Sequence, residues 1–150
     1  MKSQWEFFVK TAKTGSLSHA YLLSGNDAQK KTEAVSKLIQ FLYCEHPGVL
    51  ISCGKCRSCN AVSKGLHPDI TKISKDGSEI KIIQILRLNS FLSLTSSQGK
   101  VKTIVIEEAD CMNAQAQSAF LKLLEEPKGD TLFLLLTEYP ALLLPTIHSR

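Results

Sequence analysis

The sequence predicts an α/β fold in which a parallel sheet is covered by helices on both faces. Short apolar segments with the length and composition of buried strands lie at 20–24, 69–73, 101–106 and 132–136. They alternate with segments whose apolar residues recur at helical spacing, at 5–12, 30–43, 82–94 and 113–125. Strands that are apolar on both faces and separated by helices form parallel sheets covered on both sides.

Local signals support the individual elements. The residues Lys-Asp-Gly-Ser at 75–78 are typical of a turn and separate a strand from the helix that follows it. Asn113 is a favourable N-cap for the last long helix, which should end before Pro127. We expect residues 140–150 to form a short helical turn followed by Pro145 and an irregular segment.

Composition and charge are those of an ordinary globular domain. The chain has 150 residues, of which 43% are hydrophobic and 21% charged, enough for one domain with a hydrophobic core. Apolar runs stay well below the roughly 20 residues needed to span a bilayer, and the N-terminus lacks the apolar stretch of a signal peptide. We therefore expect a cytoplasmic protein. A net charge of +4 allows contact with nucleic acid but does not require it.

A cysteine cluster is the most specific chemical signal. Cys44, Cys53, Cys56 and Cys59 are separated by eight, two and two residues. In a reducing cytoplasm this spacing favours a tetrahedral zinc site with four sulfur ligands, which is closed and therefore structural. His46 in place of one cysteine, a redox-active CxxC pair and a set of unliganded buried thiols are the alternatives.

An altered phosphate loop follows the first predicted strand. The loop pattern G-x-x-x-x-G-K-[ST] is matched at Gly25, Lys31 and Thr32, but Lys30 replaces the second glycine. A side chain at that position disfavours the tight backbone that cradles phosphate, and Asp27 adds a negative charge nearby. The pattern indicates a nucleotide-binding fold whose grip on phosphate is lost; a chance match of spacing is the alternative.

Two acids end the predicted strand at 101–106. In phosphate-loop enzymes the first acid at this place orients magnesium and the second polarises water. Here Glu107 stands where aspartate is usual, and Glu108 follows it. A strand that simply ends in a solvated acidic turn is the alternative.

Together these segments resemble, in order, the AAA+ domain of bacterial DNA polymerase III clamp-loader subunits. The matching segments are the strand and loop HAYLLSG at 19–25, the cysteine spacing, GLHPDI at 65–70, the helix NAQAQSAFLKLLEEP at 113–127, TLFLLLTEYP at 131–140 and LPTIHSR at 144–150. The resemblance implies a P-loop-type parallel sheet with an inserted zinc module at 44–59. It further implies that 1–150 is an N-terminal module, truncated before the family's last sheet strand, lid and collar.

The same resemblance assigns functions to further residues. Thr137 corresponds to the sensor residue, and Arg150 to an arginine finger that acts in the ATP site of a neighbouring subunit, with Ser149 positioning it. Because Lys30 replaces the loop glycine, the chain is most similar to the non-hydrolysing delta-prime (stator) type, in which ATP and magnesium are not expected at its own loop. The implied partners are the gamma/tau and delta subunits, the sliding clamp and the backbone of primed DNA, with no membrane.

Two other functions stay open at this point. One is an ATP-hydrolysing motor subunit of the gamma/tau kind that tolerates Lys30. The other is a zinc-dependent nucleic-acid adaptor unrelated to clamp loading, against which the modest charge and the lack of interleaved exposed aromatic residues argue.

Overall fold

A computed structural model describes residues 2–15, 18–48, 51–94, 101–126, 129–143 and 145–148. The chain forms two compact units. The smaller comprises 1–18 and 32–67, and the larger comprises 19–31 and 68–150.

The smaller unit is helical. It contains α1 (Lys2–Thr14), most of α2 (Ala28–Tyr43) and the short α3 (Arg57–Ser63). Trp5 of α1 meets Phe41 of α2 edge to face, with ring centroids 6.2 Å apart. The amide of Gln40 donates to the Ser63 hydroxyl at 2.8 Å and so connects α2 to α3. The second contact joins the helix before the cysteine segment to the helix at its end.

The larger unit contains a four-stranded sheet. Its strands are β1 (Ala20–Ser24), β2 (Ile70–Ile73), β3 (Lys102–Ile106) and β4 (Thr131–Thr137), in the spatial order β1-β4-β3-β2. Every pairing is parallel, as the sequence predicts. The central strands β3 and β4 are buried along their whole length. Their continuous apolar sequence follows from that position, since both faces of a central parallel strand are covered.

Among the described residues, four α-helices lie wholly in the same unit: α4 (Ile82–Leu86), α5 (Leu88–Ser93), α6 (Ala114–Glu125) and α7 (Pro145–His148). Phe120 of α6 packs edge-on against Phe133 of β4, with centroids 5.2 Å apart and both side chains fully buried. The predicted cap of α6 is confirmed, because Asn113 Oδ1 accepts the amide hydrogen of Ala116 at 2.9 Å. The buried face of α6 therefore fixes this helix on the sheet.

Two predictions about local structure are wrong. The helix expected over 82–94 is interrupted, because Arg87 has a tightened backbone (ψ −22°) and its amide bonds to the carbonyls of both Ile83 and Ile85. The segment after Pro145 is helical, not irregular: α7 begins at that proline. Proline is favoured in the first turn of a helix, where its missing N–H costs nothing.

Within the described ranges, no helix combines the length and the apolar character that crossing a membrane requires.

Candidate functional site

The cysteine segment brings the four predicted ligands together. The Sγ atoms of Cys44, Cys53, Cys56 and Cys59 all lie within 4.8 Å of one another. Four thiolates bound to one zinc at about 2.3 Å in a tetrahedron would be about 3.8 Å apart. The donor set therefore fits a metal ion after a small contraction. Among the residues that the structure describes, His46 does not belong to this cluster.

Backbone amides organise the sulfur atoms. Cys53 Sγ accepts the amide hydrogens of Lys55 at 3.4 Å and Cys56 at 3.3 Å. Gly54, which lies between Cys53 and Lys55, has φ 71°, and glycine adopts this angle without the strain that a side chain would cause. The chain can therefore turn back over the sulfur. Cys56 Sγ in turn accepts the amide of Cys59 at 3.4 Å and caps α3. Amide-to-sulfur bonds of this kind stabilise thiolates in advance of a metal.

The thiols differ in acidity. Burial opposes ionisation of Cys56, but hydrogen bonds from the amides of Glu45 and Cys59 and from the side chains of Cys59 and Cys53 together outweigh it and lower the pKa of Cys56 to about 6. Hydrogen bonds from the amides of Lys55 and Cys56 also lower the pKa of Cys53. Burial raises the pKa of Cys59 to about 12. A metal ion that binds all four sulfurs must displace the Cys59 proton.

A set of four protein sulfurs leaves no open coordination position for a substrate or water. Zinc bound here would hold the segment between α2 and α3 in place and would carry out no chemistry. Cys44 and Cys59 are almost fully buried, with 2% and 1% of their surface exposed. The cluster is therefore a candidate for a structural metal centre only.

The altered phosphate loop is short and closed in the structure. Helix α2 already begins at Ala28, so only Gly25, Asn26 and Asp27 separate it from β1. Asp27 Oδ1 accepts the Lys30 amide hydrogen at 3.1 Å, in the manner of an N-cap. The Lys30 side chain is exposed, and its Nζ lies 4.0 Å from Asp27 Oδ2.

The predicted phosphate-binding lysine has other partners. Lys31 Nζ donates to the carbonyl of Gly25 at 2.6 Å and to the carbonyl of Thr137 at 3.0 Å. The Gly25 amide also bonds to the Thr137 carbonyl, at 3.2 Å. Thr32 is the fifth residue of α2 and is exposed. The structure thus places Gly25, Lys31 and the backbone of Thr137 together at the carboxyl ends of β1 and β4.

The two predicted acids each pair with a lysine. Glu107 Oε1 lies 3.7 Å from Lys72 Nζ, and Glu108 Oε2 lies 3.0 Å from Lys75 Nζ. The hydrogen bond to Glu108 raises the pKa of Lys75. Glu108 adopts a left-handed backbone (φ 52°), which is uncommon for a residue with a side chain. Both carboxylates are partly exposed, so these pairs contribute little to stability.

Asp110 is a site residue that sequence reasoning missed. The hydroxyl of Thr137 donates to Asp110 Oδ1 at 2.6 Å and accepts the Tyr139 amide hydrogen at 3.1 Å. The single hydroxyl hydrogen of the predicted sensor is therefore already used. Asp110 follows the acidic strand end by two residues, which is the signal that could have drawn attention to it. Ser149 and Arg150 lie outside the described residues.

Among the proteins most similar in sequence to this chain are DNA polymerase III subunits. The family described as DNA polymerase III, delta subunit, matches residues 1–150. The chain is 38% identical to DNA polymerase III subunit delta' of Pseudomonas aeruginosa, over 89% of this chain and 41% of that protein. It is 40% identical to subunit delta' of Bacillus subtilis, over 89% of this chain and 40% of the relative. The chain thus spans about two fifths of the length of these relatives.

A solved structure supports the fold. The crystal structure of a DNA polymerase III gamma subunit-related protein from Thermotoga maritima matches with a TM-score of 0.73 and 26% identity, covering 98% of this chain and 43% of that one. The parallel sheet, the altered loop and these relatives agree with the AAA+ resemblance drawn from the motifs. The family match over 1–150 shows that the chain belongs to the DNA polymerase III, delta subunit, family.

Proposed function

We propose that this chain is the N-terminal AAA+ module of a non-hydrolysing, delta-prime-type subunit of a bacterial clamp loader. In this role it supports ATP-driven loading of the sliding clamp on primed DNA during replication. Its partners are gamma/tau-type and delta-type subunits, and through the complex it meets the clamp and the DNA backbone. The family membership and the delta' relatives support the complex; the state of the loop supports the passive role.

The observation that carries the passive role is the engagement of the catalytic positions with the protein itself. Lys31 binds two backbone carbonyls, Glu107 and Glu108 pair with lysines, and the Thr137 hydroxyl donates to Asp110. Nucleotide hydrolysis needs the lysine on phosphate, the acids on magnesium and water, and an open loop. In this chain the lysine and the acids have partners within the protein, and Lys30 occupies the glycine position of the loop. None of the three requirements is met.

The active contribution of the subunit is proposed to come from Arg150, with Ser149 positioning it. Guanidinium is always charged and binds phosphoryl oxygens in a bidentate manner, so an arginine from this chain suits the ATP site of a neighbouring subunit. In known systems such a finger accelerates phosphoryl transfer by roughly 10³–10⁵. The four-cysteine cluster is proposed to hold structural zinc, which orders the inserted segment.

The deciding experiment is calorimetric titration of the full-length protein with Mg-ATP, beside a clamp-loader motor subunit with an intact loop. The proposal expects heat of binding from the motor subunit and none from this protein. Thermal melting gives a cross-check, because a ligand at 100 times its dissociation constant stabilises a fold by about 2.7 kcal/mol. Micromolar binding by this protein would overturn the passive role.

The arginine finger is tested separately in the reconstituted complex. Arg150→Ala and Arg150→Lys should both slow DNA-stimulated ATP hydrolysis at the neighbouring site, because lysine lacks the bidentate fork. Complex assembly, measured by gel filtration, should not change. Unaltered turnover in both variants would remove Arg150 from the mechanism and leave the family membership intact.

An ATP-hydrolysing motor subunit is the second candidate. The observation in its favour is that Lys31 and Thr32 are retained in the strand–loop–helix context and that Lys31 lies at the carboxyl ends of β1 and β4. The gamma subunit-related structure is similar over nearly the whole chain. The calorimetric titration separates the two candidates, since only a motor subunit must bind Mg-ATP at its own loop.

A further inference from the structure

The edge of the sheet where a nucleotide would bind is ordered by contacts within the protein. Gly25 directly follows β1, at the point where β4 ends at Thr137, since Ser24 and Thr137 are register partners. Both the Gly25 amide and the Lys31 ammonium reach the Thr137 carbonyl, at 3.2 and 3.0 Å. This one carbonyl oxygen therefore ties the start and the end of the loop to β4.

The ammonium of Lys31 closes the loop upon itself. Its second bond, to the Gly25 carbonyl at 2.6 Å, spans six positions of sequence and bridges the loop from one end to the other. An ammonium has three hydrogens and no acceptor, so these two carbonyls take most of its capacity. In a phosphate loop the same group is directed to phosphate oxygens.

Asp27 closes the other side of the loop. Its carboxylate accepts the Lys30 amide, and its carbonyl accepts the Lys31 amide at 3.2 Å. Amides in the first turn of a helix attract anions, and here the protein supplies that anion itself. The first turn of α2 is thus capped without a ligand.

We propose that Lys31 is a positioning residue that, together with the Asp27 cap, holds this loop in a fixed closed form in place of a nucleotide. The inference rests on the proposed non-hydrolysing function and adds a role for the retained lysine. In a motor subunit the lysine binds the phosphate of the ligand, and the bound ligand orders the loop. In this chain the lysine orders the loop directly, which makes the sheet edge rigid whether or not ATP is present.

Hydrogen exchange of the full-length protein, with and without Mg-ATP, tests this role. Amide exchange reports the local opening free energy. Lys31→Met keeps most of the unbranched side chain and removes both bonds, so exchange at residues 25–31 should become about tenfold faster, as expected for the loss of a charged hydrogen bond at a partly exposed site. Lys81→Met is the matched control, because that lysine is also exposed and paired, 3.8 Å from Asp76.

A second pair of variants tests the cap. Asp27→Asn keeps an acceptor for the Lys30 amide and should leave exchange in the first turn of α2 within about threefold of the parent. Asp27→Ala removes the acceptor and should accelerate it by about threefold to thirtyfold. The matched substitution Asp76→Asn removes a carboxylate from an exposed turn and controls for net charge.

The outcomes separate this inference from the proposed function. Faster exchange at 25–31 in Lys31→Met, with no effect of Mg-ATP on the parent protein, supports both. Unchanged exchange in Lys31→Met, again with no ATP effect on the parent, overturns the positioning role alone. Protection of the parent by Mg-ATP that is lost in Lys31→Met returns the lysine to phosphate binding and overturns both.

Discussion

Replacing Thr137 by valine should lower the free energy of unfolding of the larger unit by about 2 kcal/mol. Valine has the same shape but lacks the hydroxyl. Thr137 is fully buried, with 1% of its surface exposed, and its hydroxyl makes two hydrogen bonds. One bond, at 2.6 Å, is to the carboxylate of Asp110, and a hydrogen bond to a charged group contributes about 1.5–3 kcal/mol. The other, from the Tyr139 amide at 3.1 Å, adds about 0.5–1.5 kcal/mol. Because Asp110 is only partly buried and can regain water, the lower end of the sum applies.

Urea denaturation followed by circular dichroism measures this change, with the denaturant dependence expected to remain constant. For a domain of this size the melting temperature should fall by about 4–8 °C. Thr71→Val, the same substitution at a partly buried position of β2, is the control and should change stability by less than 1 kcal/mol.

A double-mutant cycle with Asp110→Ala identifies the interaction. If the 2.6 Å bond carries the energy, the two substitutions should be non-additive by at least about 1 kcal/mol. A Thr137→Val variant within 0.5 kcal/mol of the parent, or additivity within about 0.5 kcal/mol, would refute the reasoning. Either result would mean that the hydroxyl is not committed to Asp110 and is free for another partner.

Three further predictions concern the metal cluster and a buried lysine. Zinc affinity should fall as the pH falls, by about tenfold per pH unit for each proton released, because zinc must displace the Cys59 proton (pKa about 12). The dependence on pH should steepen below pH 6, where Cys56 also protonates. A pH-independent affinity in competition titrations would contradict this prediction. Gly54→Ala should cost about 1–2 kcal/mol, because alanine is strained at φ 71°, and should weaken zinc binding in the same titration; equal affinity would show that the turn tolerates a side chain. Lys102→Met should lower the free energy of unfolding, measured by urea denaturation, by about 1–3 kcal/mol, because the buried ammonium donates to the Phe91 carbonyl at 2.5 Å and to the Leu94 carbonyl. A free energy of unfolding within about 0.5 kcal/mol of the parent would argue that these carbonyls bind water instead.

Much of the fold could be predicted because its signals are local. The apolar strands β3 and β4 are recognisable from composition alone, and the Asn113 cap from a single residue at the right offset. The break at Arg87 and the helix after Pro145 were not predicted correctly. In both places the apolar periodicity or the proline is compatible with two backbone conformations, and packing selects one of them.

The candidate site divides in the same way. The clustering of the cysteines is predictable because residues three positions apart in a turn cannot be far apart in space, and three of the four cysteines lie within seven residues. The sequence also identifies the loss of the loop glycine at Lys30. It gives no indication that the acids Glu107 and Glu108 meet lysines from the β2 side of the sheet.

By itself, then, the sequence determined the parallel α/β fold, the clustering of the four cysteines and the loss of the loop glycine, because each depends on residues that are near neighbours in the chain. Only the tertiary structure decided what the retained residues contact. Lys31 and Thr137 are 106 positions apart, and Thr137 and Asp110 are 27 apart. They meet because the strand order places β4 between β1 and β3, so that the ends of all three strands share one edge of the sheet.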